Sequence, residues 1–306
     1  MRLFPFKRFV LVLSAVCALL SPLAADGHAE THAERAARID RLLRDGQPAE
    51  AGKAARAAVQ EDVMILGAED PLTLEDRLLL ARAQHALGEQ IPAERECRAI
   101  LAIYAKKLGP DNVKTIGARE SLAKMLFSQR RLSEAIREQR TVIALQTRAF
   151  GAEDVRVARS KMSLAAGLTE TGKATEALAL YREAQTGLVR TLGGEHADTL
   201  TNRTFLSALL AATGQNDEAE KEARAILQIR RRTLGPEAAT TLGAIYHLAN
   251  ILRNQSRTTE ALEMAKRADV GLQKTLGPEH PQSQSTRQLL EQLEAKMAEK
   301  KKTKFR

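Results

Sequence analysis

The apolar positions of this chain recur on two scales at once. Over short stretches they fall three or four residues apart: Ala93, Cys97, Ile100 and Leu101 share one face of a helix that the pattern places from about Ile91 to about Lys107. Over longer stretches the pattern itself repeats. Leu-Gly or Phe-Gly stands at Leu66-Gly67, Leu108-Gly109, Phe150-Gly151, Leu192-Gly193, Leu234-Gly235 and Leu276-Gly277, always 42 residues apart, with an acid two positions after each glycine. Alanine keeps the same interval at Ala51, Ala93, Ala135, Ala177, Ala219 and Ala261, and a turn position five residues earlier holds Gly46, Gly88, Arg130, Gly172, Gly214 and Ser256. Three registers in phase over six units define an internal repeat.

Each unit reads as two helices. The Leu-Gly dipeptide is a helix stop, since glycine takes the left-handed cap conformation at little cost. Pro71 suits the first turn of the next helix, where its missing N–H costs nothing. That first helix runs to about Leu87 and stops at Gly88. Its Leu80-Ala81 pair recurs as Leu122-Ala123, Leu164-Ala165, Leu206-Ser207 and Leu248-Ala249. The small side chains of Ala81 and Ala93 let the two helices close into an antiparallel hairpin. One hairpin cannot bury its whole apolar face, so neighbours must stack on it. Composition agrees: 306 residues with 44% hydrophobic but only 3% aromatic and no Trp require a core of Ala, Leu and Ile, which favours packed helices over a sheet.

The pattern closely resembles the tetratricopeptide repeats of the kinesin light chain type, whose long unit begins Leu-Gly-Pro-Glu-His-Pro and continues through Asn-Leu-Ala to Gly and Glu-Ala. The nearest copies here are Leu234-Gly235-Pro236-Glu237 and Leu276-Gly277-Pro278-Glu279-His280-Pro281. The resemblance spans roughly residues 33–295. It implies an all-α, right-handed superhelical solenoid of antiparallel helix hairpins serving as a protein-interaction scaffold. One departure stands out: the asparagine before Leu-Ala, which in related groove binders engages the ligand backbone, is replaced by Leu79, Ser121, Ser163, Phe205 and His247. That argues against a conventional extended-peptide mode.

The net charge of +9 changes the picture less than it promises. The first eight residues carry +3 and the last seven +5, neither stretch holding an acid, which leaves about +1 for residues 9–299. A nucleic-acid groove needs clustered cations along its length, so no nucleic-acid partner is expected. The amino-terminal charges (Arg2, Lys7, Arg8) precede an apolar run from Phe9 to Leu20, then Ser21-Pro22 and small residues. The run is too short to span a bilayer and suits an export signal cut near Ala25 or Ala29; a retained anchor is the competing reading. A lipoprotein through Cys17 lacks the small residue expected before it. The expected organisation is a signal peptide (1–25), a linker (26–32), the solenoid (33–299, about five full units plus partial ends) and a basic tail (300–306), in a periplasmic or secreted protein. The tail, Lys300 to Arg306, adds at most peripheral membrane contact, and the charged last helix reads as a cap that favours a monomer.

Few residues point to chemistry. Gly167 to Ala174 nearly spells a phosphate-binding loop, but Ala174 replaces the magnesium-binding hydroxyl and a helix, not a strand, precedes it. His28 and His32 are four apart but fall in the linker, where solvation is the expected state. His196 and His280 sit where the repeat itself calls for histidine, and His247 is the one to test for binding. Cys97 reads as a small buried hydrophobe. No catalytic residue, cofactor or metal site is expected, and the chain is read as a non-enzyme. Groove candidates follow from the position before Leu-Ala and the one four residues later: Leu79, Ala83, Ser121, Met125, Ser163, Phe205, Leu209, His247 and Ile251. Their mixed, partly apolar character suits a protein or peptide partner, a helix or apolar segment before an acidic terminus. The functional expectation is an envelope scaffold or adaptor, the alternative an accessory or regulatory subunit of an envelope enzyme complex.

Overall fold

The computed structural model describes residues 30–304. The segment read as a signal peptide (1–25), with residues 26–29 and the side chains of residues 300–306, lies outside the described residues. The described residues form thirteen helices and no strand: α1 His32–Arg44, α2 Pro48–Ile65, α3 Pro71–Ala86, α4 Gln90–Leu108, α5 Val113–Ser128, α6 Leu132–Phe150, α7 Val155–Glu170, α8 Ala174–Leu192, α9 Ala197–Ala212, α10 Asn216–Leu234, α11 Ala239–Asn254, α12 Thr258–Leu276 and α13 Pro281–Lys304. They divide into two compact units, one ending at Glu96 and one starting at Cys97, inside α4. Each is built of stacked helix hairpins, the architecture of an all-α helical-repeat solenoid. α3 and α4 match their expected bounds within two residues. At the ends the expected bounds move: Thr31 caps α1 in a reciprocal box with Glu34, so residue 32 is helix rather than linker, and α13 continues to Lys304 instead of stopping at 299.

The two glycine registers turn the chain in different ways. At Gly151, Gly193, Gly235 and Gly277 the backbone sits at φ 87 to 89° and ψ 153 to 163°. This is the region open only to glycine, not the left-handed helical cap expected from sequence. The turn inside each hairpin also has positive φ, yet Arg130 and Ser256 occupy it at φ 62°. An L-residue tolerates that basin at a cost of roughly 1–2 kcal/mol. The Leu-Gly register therefore never varies, while the other does.

First helices start on side-chain caps. Asp70, Asn112 and Asp154 accept from the backbone N–H two residues on, and His196 does the same through Nδ1, which receives the Asp198 N–H at 3.1 Å. His280 accepts from Gln282 N–H in the same way. Ala238 offers α11 no cap. The six residues of the alanine register are all fully buried. In the second unit a continuous core runs from Ile136 through Leu168, Leu210, Ile245 and Leu272 to Leu293. Ion pairs step along the second helices once per repeat, Arg98–Glu134, Arg140–Glu176, Arg182–Glu218 and Arg224–Glu260. These are half-exposed pairs, each worth about 0–1 kcal/mol, so they tune a stack that apolar burial holds.

Candidate functional site

In the second unit the first helices α7, α9, α11 and α13 pack side by side and form one continuous surface. The nine candidate groove residues split into two rows. The row four residues after the position preceding Leu-Ala faces inward: Ala83 (0% exposed), Met125 (2%), Leu209 (5%) and Ile251 (1%) are core, and Leu79 (8%) joins them. These five do not line a groove. A shift of four residues keeps a side chain on nearly the same helix face, so sequence spacing alone does not separate the row that packs from the row that stays open. Ser121, Ser163, Phe205 and His247 are the ones that reach the surface, wholly or in part. Ser121 and Ser163 donate to their own helix, to Gly117 O at 3.0 Å and Arg159 O at 3.2 Å.

Phe205 and His247 form a more developed neighbourhood. Phe205 is 47% exposed and stacks on Tyr181, ring centroids 6.2 Å apart at 19°. Tyr181 is buried, which pushes its phenol up to about 12 and keeps it neutral. Asn202, inside α9, donates to the Tyr181 carbonyl at 2.9 Å and to Gln185 at 3.0 Å, fixing that backbone under the Phe205 ring. One helix on, His247 Nε2 lies 3.1 Å from Ser207 Oγ, and Ser207 gives its only hydroxyl proton to Ala219 O at 2.9 Å. Nε2 must therefore be the protonated nitrogen, leaving Nδ1 as an acceptor. Burial, with a smaller contribution from Arg230, lowers the imidazole to about 4, so it is neutral at physiological pH. Arg230 donates to Thr240 O at 3.1 Å, and burial lowers its pKa too. The sequence reading missed Tyr181, Ser207 and Arg230. Arg230 had a signal: in the second unit its register otherwise holds the uncharged Tyr104, Gln146, Leu188 and Leu272, all buried.

The other chemical candidates resolve differently. Gly167 lies inside α7, and Thr171 to Lys173 form the turn into α8, so the near phosphate loop is a helix–turn–helix corner. Cys97 is fully buried, its thiol donating to Ala118 O at 3.4 Å. His32, expected in a solvated linker, opens α1 and faces two buried carboxylates, with Nε2 3.4 Å from Asp76 and 3.9 Å from Asp62. Arg35 joins the same group, donating to Asp62 at 2.8 Å and Asp76 at 2.9 Å. Burial raises the Asp76 carboxyl above its usual range, and the Arg35 charge pulls the other way.

Models of the tetratricopeptide repeat match residues 115–155, 156–232 and 241–282. Among solved structures, the chain is similar to a putative kinesin light chain of Podosopora anserina with nearly identical repeats, at 24% identity over 66% of this chain and 96% of that one, TM-score 0.61. It is also similar to BtubC (BKLC) from P. vanneervenii, at 21% identity over 79% and 94%, TM-score 0.64. The apo form of RapI aligns over 88% of this chain and 72% of its own at 12% identity, TM-score 0.68. No curated protein matches the sequence. Among the described residues no helix is long and apolar enough to cross a membrane. Tetratricopeptide repeats generally mediate protein–protein interaction, and the scaffold is typically non-enzymatic. By its repeat models and by the geometry of its hairpins, this chain belongs to the tetratricopeptide repeat family, with the fold of its kinesin light chain-like members.

Proposed function

We propose that this chain is a non-enzymatic adaptor that holds an apolar or helical segment of a partner protein on the first-helix surface of its second unit. The observation that carries the reading is Phe205, a large aromatic left half exposed on first helices whose other large apolar side chains are mostly buried. Its ring is held rigid from below by Tyr181, so docking a partner against it costs little side-chain entropy. Aromatic anchors of this kind dominate interface energetics. His247 Nδ1, uncharged and fixed in tautomer, supplies an acceptor one helix away. The amino-terminal sequence, with its basic start and 12-residue apolar run, supports a periplasmic or secreted setting.

A photo-crosslinking residue placed at Phe205 tests the proposal, with the same residue at Val270 as control, since Val270 is 70% exposed on a second helix. A partner captured at position 205 and not at 270 supports the assignment. Equal capture at both sites, or none at either in the native compartment, removes it. With the partner in hand, Phe205→Ala should weaken binding roughly thirtyfold, about 2 kcal/mol.

A further inference from the structure

A different group of side chains sits in the first unit. At two buried registers where no later repeat has an acid, this unit has carboxylates. Asp62 stands where Tyr104, Gln146, Leu188, Arg230 and Leu272 stand later, and Asp76 where Ala118, Ser160, Asn202, Ala244 and Thr286 do. Both are buried, with side chains 8% and 0% exposed. Glu61 and Glu75 flank them, within 3.2 Å of Arg35 and 3.9 Å of His32. Three carboxylates thus meet one guanidinium and a fourth faces His32, and the two buried ones, Asp62 and Asp76, carry negative charge that burial makes costly unless cations share the site.

We infer that His32, Asp62 and Asp76 bind a single first-row divalent transition-metal ion. Their donor atoms already lie within 4.8 Å of one another. Asp76 Oδ1 is fully buried, makes no hydrogen bond and faces His32 Nε2 at 3.4 Å. A tetrahedral ion with ligand bonds near 2.0–2.1 Å sets its donors about 3.3 Å apart. The His32–Asp76 edge has that length, and the His32–Asp62 edge of 3.9 Å closes with a small side-chain rotation. Arg35 need not leave. On Asp76 it bonds Oδ2 and leaves Oδ1 toward His32, and on Asp62 it bonds the same Oδ2 that faces His32; a carboxylate offers about four lone-pair sites, so the guanidinium orients the ligands as outer-sphere partners do. Glu75, on the Nδ1 side of His32 at 3.9 Å, suits the carboxylate–histidine–metal arrangement that directs the Nε2 lone pair inward. When no ion is bound, Nε2–H donates instead to Leu72 O at 3.2 Å, which holds the ring in place. One imidazole with two carboxylates favours a transition ion over calcium or magnesium, which demand more oxygen ligands.

The test uses the full chain stripped with a chelator and titrated with Co2+, followed by competition with Zn2+. One Co2+ per chain with visible d–d absorption, displaced by Zn2+, is the expected result. His32→Gln and Asp76→Asn should each weaken Co2+ binding at least tenfold while circular dichroism shows the helices intact. X-ray absorption on the loaded wild type guards against a variant that fails to fold: it should show one imidazole among oxygen ligands. No saturable binding, an all-oxygen shell, or wild-type affinity in both His32→Gln and Asp76→Asn would overturn the inference and leave a structural histidine–arginine–carboxylate cluster in its place.

Discussion

The two units of this protein run the same repeat on different interiors. In the second, the registers of Asp62 and Asp76 hold Ala118, Leu188, Ala244 and Leu272 beside the uncharged Tyr104, Gln146, Ser160, Asn202 and Thr286 and one Arg230, and a large, mainly apolar cluster runs from Ile136 to Leu293. In the first, the apolar cluster is small (Ile39, Ala51, Ala55, Leu79 and Ala83), and beside it the same registers carry Asp62 and Asp76 bridged by Arg35. The backbone tolerates both, since hairpin geometry is set by the glycine turns and the alanine register, which the two units share. What differs is the penalty for error. Trimming an apolar side chain in a stack leaves a local cavity, whereas deleting one member of a buried charge cluster also removes a charge-assisted hydrogen bond.

The contrast is greatest at Asp76. Asp76→Ala removes a charge-assisted hydrogen bond but leaves Arg35 on Asp62 and Glu61, so the first unit should lose about 1.5–3 kcal/mol, read by urea unfolding in chelator. If the loss is under about 1 kcal/mol, the cluster is solvated and the units differ only in composition. The second unit has its own buried ionisable group in His247. The folded imidazole titrates at about 4 and an unfolded one near 6.5, so the unfolded chain binds the extra proton between those values. Stability therefore falls as pH drops from about 6.5 to about 4, by roughly 3 kcal/mol in all. His247→Gln should flatten that slope, measured as urea midpoint against pH.

Much of the fold was legible from the sequence, and part of the site was not, for identifiable reasons. The hairpins were legible because glycine at Leu-Gly is dictated by a backbone conformation no other residue adopts, so it recurs without error. The groove row was half legible. Phe205 and His247 were found by register, but Met125, Leu209 and Ile251, one turn further on the same helices, are core, and two positions four residues apart share a face that spacing cannot divide. The His32 cluster was hidden because its members come from three helices and span residues 32 to 76, and proximity of that kind is not written in local spacing. The trace it did leave was negative: acids at two registers that hold none in any later repeat.

Close packing in the second unit gives the next tests. Gly167 lies under the Phe127 ring, and an added Cβ would overlap it. Gly167→Ala should cost about 1–3 kcal/mol as an overpacked contact, with Phe127→Leu restoring part of the loss. A double variant no better than the single one would place the cost in the helix instead of the contact. At the start of α11, where Ala238 leaves the helix uncapped, Ala238→Asp should gain about 1 kcal/mol.

The smallest effect separates the two glycine registers. Ser256 holds φ 62° and is exposed. Ser256→Gly relieves a left-handed penalty of roughly 1–2 kcal/mol and loosens the unfolded chain by about 0.5–1 kcal/mol, for a net gain of about 0–1.5 kcal/mol. The reverse change at the other register, Gly277→Ser, enters a region closed to L-residues and has only loss to offer, because φ 87° with ψ 160° strains any Cβ even where space is open. Thermal unfolding of the pair should move in opposite directions. If both lower the midpoint, Ser256 is held by something other than its turn, and the freedom of that register to vary has another cause.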